Sequence, residues 1–305
     1  MALSSRPHPD HLLLPLKFRP RSQRRIHESL KDETLVQPFS IRPRCSIIVD
    51  YPYLEGKTAL VTGGSRGIGA ATALLLAECG VDLAINYRSK AARAEEVVAQ
   101  AVEKGVRAIA IPADITNESD VEAMMAAIER EFGGLDVLVL NASGGLEKDL
   151  VAQNPNYPML LNRDAQVWTL KHALRLMPRG GRVVFVTSHW AHFYGQTKQY
   201  AMYEPVARSK HAGEQALLSL LPDLDKRGVR LVRVSGDLVE GTITSKLLDR
   251  AESGMLEARR HDAGWLPTID DMAAAVVRAC GDDALEQGEV LYVGETNVEQ
   301  VEDAE

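Results

Sequence analysis

Residues 58–69 read Thr-Ala-Leu-Val-Thr-Gly-Gly-Ser-Arg-Gly-Ile-Gly, and an alanine- and leucine-rich stretch, residues 70–79, follows. An apolar run thus meets a glycine-rich turn that opens a helix. Gly63, Gly67 and Gly69 let the backbone turn tightly and approach a diphosphate, and the helix presents unpaired N–H groups to that anion. A bound dinucleotide is the first functional expectation.

Outward from this turn, short apolar runs alternate with helical patterns. Strands are expected at residues 58–62, 82–87, 107–112, 137–140, 182–187, 230–235 and 290–293. Helices are expected near residues 91–104, 119–132, 163–177 and 204–225. This alternation implies an α/β fold, a single Rossmann-type doubly wound parallel sheet with helices on both faces. Ligands of such sheets lie at the carboxyl ends of the strands. Residues 236–265 are expected to form a mobile lid over the substrate.

The chain has 305 residues, a net charge of -7 and 45% apolar residues. No run approaches membrane-spanning length, so no membrane partner is expected. The body lacks a basic block, which argues against nucleic acid. Cys45, Cys79 and Cys280 are widely spaced, giving neither a disulfide framework nor a metal site, and suit a reducing, cytoplasmic compartment. Residues 1–53 hold seven of the 14 prolines and, up to His27, a single acid, Asp10, against six basic residues. They read as a disordered extension, or alternatively an organelle transit peptide, ahead of a nucleotide-binding domain at residues 54–305. The acidic end, residues 298–305, is expected to fray.

At the end of the second strand stands Asn86-Tyr87-Arg88-Ser89, with no acid. A carboxylate there would repel a 2′-phosphate. Arg88 with Arg66 would instead clamp one, so NADP(H) is the expected cofactor. Solvated surface arginines are the alternative. Asp114 follows strand three, where it can accept from the adenine amino group or cap a helix. Asn141-Ala142-Ser143-Gly144-Gly145 follows strand four, and its small residues let the backbone pass close to the cofactor.

Strand five ends in Val-Thr-Ser-His, which puts Ser188 at the carboxyl edge of the sheet. Beyond it come Tyr203 and Lys210, two helical turns apart and so on one face. A tyrosine beside an ammonium can give a proton to a developing alkoxide, because the charge lowers the phenol's pKa. Ser188 can hold the same oxygen, and Lys210 can also hold the nicotinamide ribose. His189 and His192 flank Trp190 and can line the substrate pocket. Trp190, Phe193 and Tyr194 can form an apolar wall or simply pack a loop.

These segments together resemble the short-chain dehydrogenase/reductase family, over residues 54–294. The matching residues are Thr62 to Gly69, Asp114-Ile115, Asn141-Ala142, Asn162, Ser188 and Lys210. The resemblance implies cofactor contacts from Gly63, Ser65, Arg66, Gly67, Ile68 and Gly69. It adds Arg88, Asp114, Ile115, Asn141, Ala142, Tyr203, Lys210 and Gly236. It implies Ser188, Tyr203, Lys210 and Asn162 as catalytic, with Asn162 anchoring a relay water near Lys210. Asn162 also reads as a helix N-cap. A homodimer or homotetramer through the two longest helices follows from the same resemblance.

The chain departs from the family's Tyr-x-x-x-Lys, since Val206 stands four residues before Lys210. Tyr203 gives Tyr-x6-Lys, a spacing similar to that of NADPH-dependent enoyl-acyl-carrier-protein reductases. Ser-Gly at 235–236, in place of Pro-Gly, is similar to that branch as well. Two chemistries remain: hydride transfer to a carbonyl, of a 3-oxoacyl type among others, or reduction of an enoyl thioester. A non-catalytic dinucleotide sensor or scaffold is the third reading. The partner is accordingly a small-molecule or acyl-thioester substrate.

Overall fold

The computed structural model describes residues 51–297. The expectations for residues 1–50 and 298–305 therefore lie outside the described residues.

Seven parallel strands form one sheet in the order β3-β2-β1-β4-β5-β6-β7. They are β1 (Thr58–Val61), β2 (Asp82–Tyr87), β3 (Ala108–Pro112), β4 (Val137–Leu140), β5 (Arg182–Ser188), β6 (Arg230–Gly236) and β7 (Val290–Val293). Side chains alternate across the sheet, and both faces are buried. Ala59, Val61, Leu83, Ile85, Val184 and Val186 belong to one core, whereas Leu60, Ala84, Val183 and Phe185 belong to the other. Near-continuous apolar runs are what such doubly covered strands require. Each fully buried valine or leucine contributes roughly 1.5–3 kcal/mol.

The first core is closed by α1 (Gly67–Glu78), α2 (Ala91–Glu103) and α12 (Ile269–Gly281). The second is closed by α3 (Glu118–Phe132) and α6 (Ala165–Ala173), with Leu217 of α8 (Glu204–Leu218) and Leu224 of α9 (Leu221–Arg227). Shorter helices lie between: α4 (Lys148–Gln153), α5 (Tyr157–Met159), α7 (His189–His192), α10 (Ile243–Ala251) and α11 (Met255–Ala263). The chain moves from β1 to β2 on one side and returns to β4 on the other. A crevice therefore opens at the carboxyl ends of β1 and β4.

Two helical expectations are corrected. The helix at 163–177 begins earlier, at α5, where Pro158 needs no N–H partner. It then widens into a π-turn over Leu160–Asp164 before α6. The helix at 204–225 is two helices, because Pro222 lies in the first turn of α9 and cannot continue α8. The lid region holds two helices, with α10 capped by Thr242, whose Oγ1 accepts from Ser245 N at 3.2 Å. Helix α12, opened by a Thr268–Asp271 capping box, was not expected from the sequence.

Candidate active site

The glycine turn is shaped by its neighbours. Gly63 and Gly67 take φ of 63° and 56°, where a side chain would be strained. A Cβ on Gly69 would lie 2.5 Å from Gly63 O and 2.6 Å from Asn141 Nδ2, so only glycine lets α1 start this close to the turn. Side-chain amides pin the turn from both sides. Asn86 Oδ1 accepts from Gly63 N at 3.2 Å, and Asn141 Nδ2 donates to Thr62 O at 2.9 Å. Thr62 Oγ1 accepts from the backbone of Asn141 and Ala142 at 3.0 and 3.1 Å. Arg66, the N-cap of α1, makes no side-chain cap bond, and the first turn of α1 carries no acid. Its leading N–H groups and dipole face the crevice without a competing protein anion.

A cavity of about 660 Å³ runs along the carboxyl edge of the sheet. Gly63, Ser65 to Gly69, Arg88, Asp114, Ile115, Asn141 and Ala142 line one end, and Ser188, Tyr203 and Lys210 line the other. Asn162 and Gly236 do not line it. Asn162 is buried inside the π-turn rather than capping a helix. Its amide donates to Gly144 O and Ser209 Oγ, both at 2.9 Å, and accepts from Ser143 Oγ at 3.0 Å. Gly236 lies under α12, where a Cβ would come within 2.6 Å of Met272 Sδ.

Two further expected cofactor residues, both in the cavity wall, also have protein partners. Asp114 Oδ1 accepts from Thr116 N and Oγ1 at 2.9 and 2.6 Å, closing a local turn, while α3 is capped by Asn117. Arg88 donates across the cavity wall to the Tyr157 phenol. Burial raises the pKa of that phenol and Arg88 opposes the rise. Tyr157 had no signal in the sequence, because nothing in its spacing links it to the end of β2. Glu147, also on the wall, accepts from Gly145 N at 2.6 Å.

At the other end, Ser188 closes β5 and caps α7, its Oγ accepting from Ala191 N at 3.3 Å. The same oxygen lies 3.1 Å from the Tyr203 hydroxyl. Tyr203 stands at the N-cap of α8 and is buried against Trp190 and Leu238. Lys210 Nζ donates to Val186 O at 2.9 Å. Burial lowers the Lys210 pKa to about 8, with Glu214 opposing the shift. Burial raises the Tyr203 pKa, and the Ser188 hydrogen bond lowers it. The expected downward pull of Lys210 on the phenol is replaced here by that of Ser188, because the ammonium is turned to a strand carbonyl.

The two histidines do not face the cavity. His189 is fully buried with Nδ1 2.8 Å from Ser235 Oγ, and burial drops its pKa to about 3. His192 sits between Glu214 and the Tyr292 hydroxyl. Of the expected aromatic wall, Trp190 lines the cavity. Phe193 stacks on Tyr292 instead, and Tyr194 donates to Glu204 at 2.6 Å. Asp237, on the wall beyond β6, is paired with Arg259 of α11, which donates to it at 2.9 Å. Among the described residues no group of three or more His, Cys, Asp or Glu could hold a metal, and no helix is long and apolar enough to cross a membrane.

Comparison with known proteins adds a frame to this geometry. The short chain dehydrogenase family model matches residues 57–252. The chain is 38% identical over 183 residues to hydroxynaphthalene reductase arp2 of Aspergillus fumigatus, covering 58% of this chain and 64% of arp2, under two thirds of that relative's length. A short chain dehydrogenase from Burkholderia cenocepacia, solved in complex with NADP, superposes with a TM-score of 0.70 at 34% identity, over 80% of this chain and 99% of that one. The angucycline C-6 ketoreductase LanV, solved with bound NADP, superposes with a TM-score of 0.66 at 27% identity, over 78% and 94%.

Proposed function

The chain belongs to the short-chain dehydrogenase/reductase family, and from that footing we propose that it is an NADP(H)-dependent reductase of a ketone carbonyl. The observation that carries the reading is the Ser188–Tyr203 pair, two hydroxyls 3.1 Å apart on the wall that Lys210 shares.

The residues present fit a dinucleotide phosphate. The uncapped start of α1 offers its N–H groups to the diphosphate, and the bare surface at Gly67, with nothing within 4 Å of a would-be Cβ, leaves room for it. Arg66 and Arg88, with no acid at the end of β2, supply the positive charge for a 2′-phosphate. Lys210 is placed for the nicotinamide ribose. When bound, the reduced cofactor supplies the hydride.

The chain's own residues then govern the carbonyl oxygen. Ser188 donates a hydrogen bond to it, and Tyr203 donates both a hydrogen bond and, as negative charge develops, the proton. A phenol whose pKa is raised by burial keeps its proton at neutral pH and is an acid rather than a base in this direction. Lys210, still largely an ammonium at pH 7, would hold the nicotinamide ribose rather than the phenol.

For the substrate, we take a neutral ketone on an aromatic or fused-ring scaffold. The names hydroxynaphthalene reductase and angucycline ketoreductase support this class. Trp190, Leu238 and Leu248 make that part of the wall apolar, and the one carboxylate there, Asp237, is neutralised by Arg259. The Tyr-x6-Lys spacing had admitted enoyl reduction, and the relatives above lend it no support.

The test is NADPH consumption with 1-tetralone, a 3-oxoacyl thioester and a 2-enoyl thioester. Turnover of the bicyclic ketone above both thioesters is expected. Turnover of the enoyl thioester alone would overturn the reading, and tight NADPH binding without turnover on any carbonyl would favour a sensor.

A further inference from the structure

One helical turn beyond Lys210 on α8 stands Glu214, a carboxylate 1% exposed that is no part of the cavity wall. Two side chains from other elements meet it. His192 Nδ1 of α7 lies 2.6 Å from Oε1, and Arg233 of β6 donates to the same oxygen at 2.5 Å. His192 Nε2 in turn lies 2.9 Å from the Tyr292 hydroxyl of β7. The second carboxylate oxygen, Oε2, is buried with no hydrogen-bond partner among the described residues. An apolar residue would fill this packing position without the desolvation that a buried ion pair carries. The cluster therefore has another reason to be there.

That reason lies four residues back. Positions i and i+4 on a helix share a face, and Lys210 is itself buried, with one of its three N–H groups donated to Val186 O. Burial favours the neutral amine, and Glu214 opposes it. Burial also pushes the Glu214 carboxyl up, but His192 and Arg233 together hold it below the usual carboxylate range, so the charge is present. Of the other titratable groups on elements packed against α8, Lys171 of α6 is exposed, His189 of α7 is held neutral by burial, and the rest are committed elsewhere. Arg163 pairs with Asp164 in the π-turn, His172 of α6 with Glu118, and Arg182 of β5 with Asp283. Tyr157 of α5 is held by Arg88.

We propose that Glu214 is a positioning residue for Lys210: its buried negative charge, fixed by His192 and Arg233, holds the Lys210 side chain as an ammonium. This rests on the reading of Lys210 given under the proposed function.

The test compares wild type with Glu214→Gln in two ways. Competitive labelling with acetic anhydride, read at Lys210 by mass spectrometry across pH, follows the amine without any substrate. The pH dependence of kcat/KM with NADPH and 1-tetralone follows its effect on turnover. Removing the negative charge disfavours the ammonium, so both the labelling curve and the high-pH limb are expected to move to lower pH by about one unit or more. Glu214→Asp, which keeps the charge, is expected to restore most of the wild-type curve. Should Glu214→Gln not fold, Glu214→Leu with Arg233→Leu replaces the pair by apolar groups; because a positive charge leaves with the negative one, a smaller displacement in the same direction is expected. A Lys210 labelling curve that superimposes on wild type in a folded variant overturns the proposal. A displaced labelling curve in a protein that reduces no ketone leaves the proposal standing and removes the ketoreductase reading.

Discussion

The Ser188 hydroxyl and the Tyr203 phenol lie 3.1 Å apart across 15 residues of chain, one at the end of β5 and the other at the start of α8. One carbonyl oxygen can reach both. Tyr203→Phe is expected to lower kcat by roughly 10²–10⁴ while leaving the dissociation constant of NADPH unchanged. Steady-state turnover paired with a fluorescence titration of NADPH checks this. Near-normal turnover would remove the phenol from the chemistry.

Ser188→Ala is expected to lower kcat by about 10²–10³, as for a lost donor to a developing oxyanion. Because Ser188 also caps α7, the variant is expected to lose about 0.5–2 kcal/mol of stability. Denaturant unfolding beside kinetics separates the two effects, and equal kcat in the variant and wild type would leave the capping role alone.

Lys210 has its pKa lowered to about 8 by burial. The ammonium is the form that can donate to the nicotinamide ribose, so kcat/KM for ketone reduction is expected to be flat below that pH and to fall as pH rises through it. A profile level to pH 10, well past this midpoint, contradicts the assignment; the expected midpoint is about 8.

His189 is held neutral by burial, with its pKa moved from 6.5 to about 3. As pH falls below 6.5 the unfolded chain binds a proton that the folded chain refuses, so stability should decline progressively down to about 3. The thermal midpoint is expected to drop across this window in wild type. In His189→Asn, which can still bond Ser235, the drop should be shallower. Parallel slopes for the two proteins would count against the buried imidazole as a source of acid sensitivity.

Arg88→Ser is expected to raise KM for NADPH about 10–100-fold and leave KM for NADH almost unchanged, the value of hydrogen bonds to a charged phosphate. Tyr157→Phe, which frees the guanidinium from its protein partner, should change the ratio far less. A parallel loss with both cofactors on Arg88→Ser would mean that the arginine acts on the shape of the cleft.

Arg259→Leu leaves the Asp237 carboxylate buried without its cation, at an expected cost of about 3–5 kcal/mol. Adding Asp237→Asn should recover part of the loss. A double variant no more stable than the single one would show that Arg259 acts mainly through its bonds to the backbone of Glu295 and Asn297.

What the sequence determined is local. All seven strands, to within one residue, and the strand-turn-helix at Gly63 to Gly69 were legible because apolar period and glycine placement act over a few residues. The helix containing Asn162 was misread, since a π-turn has no signature in spacing and Pro158 allowed an earlier start. Which tyrosine meets Ser188, where Lys210 sends its ammonium, and what stands behind it were settled only by the register of β5 on β6 and the seating of α7 and α8. His192 reaches Glu214 across 22 residues, and Arg88 reaches Tyr157 across 69. Such meetings depend on how packed elements align, and residues so far apart in the chain leave no periodic trace of one another.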